Sequence, residues 1–164
     1  MQSFLGSQRL SPSSTLRPST AAEDWKLAVR VHGVDLLRGR LFGTMEALNI
    51  PQASSPVVTA WEGEIIDNHN FTFVTSKWGA TSDVDMKHWH KFQGFASMEN
   101  EVMMNSGRSS QLASSAFIFM RWKETFFVNN EGCGLTIAGF YYGKGRLLYM
   151  QCLELHVYMV LVFP

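Results

Sequence analysis

The sequence has only two cysteines, Cys133 and Cys152, among 164 residues. Two thiols cannot build a disulfide framework, and their spacing fits no metal motif, so a reducing compartment is expected, cytoplasm or nucleus. An excess of either charge is also missing: 14 Lys and Arg stand against 14 Asp and Glu. That removes the global field that would draw the chain to nucleic acid or acidic membranes. The longest apolar run, near the C-terminus, is broken by Glu154 and His156. It falls short of the roughly 18 residues of a membrane helix, so no integral membrane segment is expected. No basic stretch leads into an apolar one at the start, so a secretory leader is not expected either. G-x-S-x-G, Walker, CxxC and H-E-x-x-H motifs are absent, leaving no signature of catalysis, cofactor or metal.

What is present is aromatic. The 12 Phe, 5 Trp and 4 Tyr favour strands and a ligand-lining interior. The length suits one domain with a real core. Residues 1–22 are Ser-, Thr- and Pro-bearing and read as a mobile arm. Trp25, Leu27, Val29 and Val31 then alternate with Lys26, Ala28, Arg30 and His32, predicting a half-buried strand ended by Gly33. A turn at 36–39, a strand at 41–48, a proline-bounded loop at 50–56 and a strand at 57–66 follow. A polar turn at 67–70 leads to a predicted fourth strand at 71–76. The period then changes: Ser82 reads as the cap of a helix with Asp85 at its third position, and Met86, Trp89 and Phe92 form one stripe. Residues 93–115 read as loop with some helix.

Residues 117–142 read as two strands joined by a Gly-rich turn. By the two-residue period Ile118, Met120, Trp122, Phe126 and Val128 share a face, and Glu124 sits among them. A carboxylate in an apolar row is expensive unless a cation or hydrogen-bond donors meet it. Glu124 is therefore either a receptor for a ligand cation or a structural acid satisfied by a tyrosine or a backbone N–H. Other acids and imidazoles say less. Glu62 and Glu64 imitate a glycosidase pair but, two apart on a strand, are too close to flank a sugar from both sides, so a solvated or locally paired face is expected. His88 and His90 point about 200° apart on a helix, which excludes a shared metal and suggests exposed side chains. Strands, short turns and one or two inserted helices suggest a mostly antiparallel barrel or sandwich.

Five blocks carry a resemblance: MEALN at 45–49, WEGEI at 61–65, KHW at 87–89, FMRWKE at 119–124 and AGFYY at 138–142. In this order they resemble the Vid (vacuolar import and degradation) family in its plant-type form, the substrate-receptor subunit of the GID/CTLH ubiquitin ligase. The resemblance implies a mostly β fold, an antiparallel calycin- or lipocalin-like β-barrel with inserted helices around a deep pocket. It implies a non-catalytic receptor without cofactor that binds proteins or peptides with a free N-terminal proline, or another small or hydrophobic first residue. Bound to a scaffold subunit of the ligase, it presents them for ubiquitin transfer and proteasomal degradation. Glu124 and Tyr141 fall where the family holds the substrate's amino group. Ile50 and Val57 take the places of apolar loop residues closing over the peptide, and Thr136 that of a small hydroxyl residue. Thr136 and Tyr141 have opposite parity, so both reach one pocket only with a bulge at Gly139 or through the Thr136 backbone.

The resemblance runs from Trp25 to Tyr142, which divides the chain into the arm at 1–22, a barrel domain at 23–142 and a tail at 143–164. The Gly143-Lys144-Gly145 triplet is what a reading frame yields on entering an intron, so the tail is expected to be foreign to the family. The last barrel strands are then missing or replaced, with exposed edges unless residues 147–162 pair in their place. The reading from a different class is a lipocalin-like barrel that carries a small apolar ligand, without any ubiquitin role.

Overall fold

The computed structural model describes residues 26–48, 56–128, 137, 139–148 and 152–161. Six strands run in chain order as one antiparallel sheet: β1 (Lys26–Asp35), β2 (Arg40–Leu48), β3 (Val57–Ile65), β4 (Phe117–Phe127), β5 (Gly139–Leu148) and β6 (Cys152–Leu161). Two helices, α1 (Ser82–Trp89) and α2 (Glu99–Met104), lie between β3 and β4 with a 3-10 turn at Ser110–Ser114. The mostly β, antiparallel expectation holds. Closure into a barrel does not: among the described residues β1 pairs with β2 and β6 with β5, and the sheet is an open meander with those two strands as its edges. Residues beyond Tyr142 do pair, as the second half of β5 and as β6 in regular register from Gly139↔Leu161 to Leu148↔Cys152.

Each face of the sheet buries its own cluster. One, here the Trp61 face, packs Leu41, Met45, Trp61, Ile65, Met120, Trp122 and Tyr141. Trp61 and Trp122 stack at 4.6 Å with an 18° tilt. They can lie flat because glycines face them in register, Gly43 opposite Trp61 and Gly63 opposite Trp122. A Cβ at either glycine would strike the indole. The other, the Tyr142 face, carries Phe119, Phe140 and Tyr142, covered by Ile66, Phe73, Trp89, Phe92, Phe95, Met98 and Val102 from the β3–β4 insertion. Each large side chain so buried contributes about 1.5–3 kcal/mol of hydrophobic stabilisation, the main reason the short helices hold their places.

Several local expectations are corrected here. Residues 71–76 form no strand, because their carbonyls are used elsewhere. Thr72 O and Phe73 O accept from Arg121, and Phe73 O also accepts the Trp89 indole N–H. The cap of α1 is Thr81, whose hydroxyl accepts the Val84 N–H at 3.3 Å, not Ser82. β1 continues through Gly33 to Asp35 by a register shift between Val31 and Gly33 that leaves His32 as the extra residue. A second bulge reshapes β4. Trp61 faces Glu124 but Ala60 faces Phe126, so Thr125 is supernumerary and its hydroxyl donates to Ala60 O. Directly opposed residues share a face. Beyond the bulge the alternation therefore inverts, and Phe126 and Val128 leave the Glu124 row for solvent, 60% and 53% exposed.

Candidate functional site

Glu124 lies at the edge of the Trp61 cluster, one residue before that bulge. The Thr59 hydroxyl donates to its Oε1 at 2.5 Å and the Tyr141 hydroxyl to its Oε2 at 3.0 Å. Both donors are set by the ladder. Trp61 is paired with Glu124 and Thr59 is two residues earlier on the same face of β3, while Tyr141 is paired with Trp122. Tyr141 is 4% exposed; burial, then the charge of Glu124, pushes its phenol well above the ordinary range, so it stays a proton donor. Gly139 sits beside the carboxylate, and a Cβ there would run into both Glu124 and the Tyr141 hydroxyl. Among the described residues no Lys, Arg or His forms an ion pair with Glu124, whose hydrogen-bond partners there are two neutral hydroxyls. A carboxylate so placed keeps lone pairs for a cation that can donate hydrogen bonds.

The indole N–H groups of Trp61 and Trp122, next to this carboxylate, have no hydrogen-bond partner among the described residues. Val57, expected in a closing loop, is instead the first residue of β3 and is buried, on the same face as Thr59. Ile50 and Thr136 lie outside the described residues, as does the 1–22 arm.

A second carboxylate cluster occupies the Tyr142 face. Asp85 accepts the Tyr142 hydroxyl at 2.8 Å and the Thr75 N–H at 2.7 Å, with the Arg121 guanidinium at 3.5 Å. Glu64 takes Arg121 at 3.2 Å and Lys77 at 2.6 Å. Arg121, Glu64 and Asp85 are each at most 1% exposed. Burial raises the Asp85 carboxyl pKa although Thr75, Arg121 and Tyr142 all oppose it. It raises the Tyr142 phenol too, with the Asp85 charge acting in the same sense. His88 stacks on the Tyr142 ring at 4.8 Å and meets Val84 O at 2.6 Å, and burial holds its pKa below the ordinary 6.5. The expectation of exposed histidines thus fails for His88, which α1 turns onto the sheet, and holds for His90. The Glu62/Glu64 pair also divides: Glu62 is solvated, while the β3–β4 insertion covers Glu64. This second cluster pairs its charges internally and ties the insertion to the sheet, although the Arg121 Nε–H has no hydrogen-bond partner among the described residues.

The helices of the described residues are too short and polar to cross a membrane, and no group of three metal-ligating side chains occurs among those residues. The family model described as vacuolar import and degradation protein matches residues 1–146. The chain belongs to that family. It is 33% identical over 122 residues to the mouse protein named glucose-induced degradation protein 4 homolog, covering 72% of this chain and 56% of that protein. It is 32% identical over 128 residues to GID complex substrate-recognition subunit 10 of Schizosaccharomyces pombe, covering 73% of this chain and 23% of that one. Subunit 4 of the same yeast complex is 27% identical over 151 residues, with 85% and 72% covered. The chain therefore spans about half of the mouse relative and about a quarter of subunit 10.

Within this frame the structure brings Glu124 and Tyr141 into direct contact. It adds Thr59, which the reading of residues missed, and sets Gly139, named there only as the place of a bulge, against the carboxylate. Thr59 could have been found as the one hydroxyl among the buried-face positions of β3.

Proposed function

We propose that the chain is a substrate-recognition subunit of a GID/CTLH-type E3 ubiquitin ligase that holds the free N-terminus of a target protein at Glu124. It performs no chemistry itself and delivers the bound protein for ubiquitin transfer and degradation. The observation that carries this reading is the Glu124 carboxylate, oriented by the Thr59 and Tyr141 hydroxyls and without a cationic partner among the described residues. A protonated N-terminal amine supplies the missing charge and donates to the lone pairs the hydroxyls leave free. Each charge-assisted bond of this kind is worth about 1.5–3 kcal/mol. Proline fits best: its ammonium has two N–H donors, matching one remaining position on each carboxylate oxygen. The names of the yeast relatives support the receptor role. Calorimetry with a peptide starting in proline tests the reading: the free peptide binds and its N-acetylated form does not. Equal affinity for both forms would overturn it.

A further inference from the structure

On the Trp61 face a glycine stands opposite each of the two stacked indoles, Gly43 opposite Trp61 and Gly63 opposite Trp122. Glu124 has a neighbour of the same kind. The β4–β5 ladder passes through Trp122↔Tyr141 and Lys123↔Phe140, and one step further along it Gly139 comes opposite Glu124. Directly opposed residues share a face, so the side chain that Gly139 lacks would lie on the Trp61 face. The three atoms nearest to a Cβ built there are Oε2 of Glu124, its carboxyl carbon and the Tyr141 hydroxyl oxygen. That space is filled by the hydrogen-bonded pair itself.

The backbone gives no other reason for a glycine. Gly139 opens β5 in regular antiparallel register with Leu161, a ladder position that side-chain-bearing residues hold throughout this sheet. Glycine in a strand weakens it and marks a place where another group approaches the backbone closely. Here that group is the carboxylate. Without a Cβ beneath it, Glu124 reaches Thr59 on β3 with Oε1 and Tyr141 on β5 with Oε2. An alanine methyl would take the place of Oε2 and part the carboxylate from Tyr141. The acid would keep its charge and lose one of the two donors that orient it.

We infer that Gly139 is a positioning residue of the Glu124 site: by lacking a side chain it keeps the carboxylate in reach of Tyr141 and set for the incoming amine. The inference rests on the reading of Glu124 as a receptor for a free N-terminus. The test is a double-mutant cycle of Gly139→Ala and Glu124→Asp on the full chain, read by thermal melt and by calorimetry of the peptide starting in proline. Aspartate, one methylene shorter, withdraws the carboxylate from the space over Gly139 and so relieves the clash that alanine creates. Gly139→Ala alone should weaken the peptide about tenfold or more, the loss of an oriented charged hydrogen bond, and lower the melting temperature. In the Glu124→Asp background the same change should alter affinity by no more than about twofold and leave the melting temperature where it was. Equal losses in both backgrounds would make Gly139 a strand residue without bearing on the carboxylate and overturn the inference. So would a Gly139→Ala chain that binds and melts like the wild type. Where Glu124→Asp binds too weakly to titrate, the melts decide. A wild type that ignores the peptide while the melts still couple the two positions would overturn the receptor reading and leave the spacing role standing.

Discussion

Tyr141 and Tyr142 are neighbours on β5, point to opposite faces of one sheet, and each gives its hydroxyl to a carboxylate. What surrounds the two acids differs. Asp85 shares its buried network with Arg121, and Glu64 beside it has Arg121 and Lys77. Glu124 has Thr59 and Tyr141, neutral donors that orient it without cancelling its charge. The same residue types thus build a charge-paired cluster on one face and, on the other, a carboxylate held among the described residues by neutral donors alone. Under the proposed function the second arrangement serves recognition, because the desolvation of the acid is borne by the fold before any ligand arrives.

The comparison breaks most visibly at Arg121. Arg121→Met strips Glu64 and Asp85 of a shared cation in a dry interior, and breaking a buried pair in this way costs about 3–5 kcal/mol. Denaturant unfolding should show a loss of that size, enough to unfold a marginal domain. An intact midpoint would mean that the cluster does not tie the insertion down. The tyrosines give a smaller contrast. Tyr142→Phe leaves Asp85 short of a donor and should cost about 1–3 kcal/mol of stability, whereas Tyr141→Phe should cost less stability and more peptide affinity. Equal effects on both readouts would erase the distinction between the faces.

The smallest effect is a pH dependence on the Tyr142 face. His88 has a pKa depressed by burial, so its contribution to stability is present above 6.5 and is lost as pH falls through the folded value. Asp85 acts with the opposite sign, because its raised pKa removes stability as pH rises from 3.8 through the folded value. Thermal melts from pH 7 downward should therefore show a decline in wild type that His88→Phe flattens. Parallel curves would assign the decline to other groups.

The legible part of this molecule in its sequence was what alternation controls. β1 to β4 fall close to their expected places, and Glu124 was visible as an acid in an apolar row. Illegible features arise where a neighbour in space overrides local pattern. The Thr125 bulge inverts the faces of Phe126 and Val128, and periodicity has no means of placing an extra residue. Residues 71–76 have strand composition, yet their carbonyls serve Arg121 and Trp89 instead of a ladder. Glu64 and His88 read as surface groups, and Asp85 as part of a helix cap, on isolated elements. They are buried only because the β3–β4 insertion folds onto β4 and β5. Barrel closure, implied by the family resemblance, depends on pairing between distant edges, and the described strands leave those edges apart.

The central claim, an acid completed by its ligand, is tested most directly by Glu124→Gln, with the proline peptide titrated by calorimetry and stability followed by thermal melt. The account predicts that affinity falls by roughly 10- to 100-fold, the loss of one charge-assisted bond, while the melting temperature stays near that of the wild type. A variant that binds the peptide as well as the wild type but melts as early as Arg121→Met would make Glu124 a structural acid like Asp85 and contradict the account.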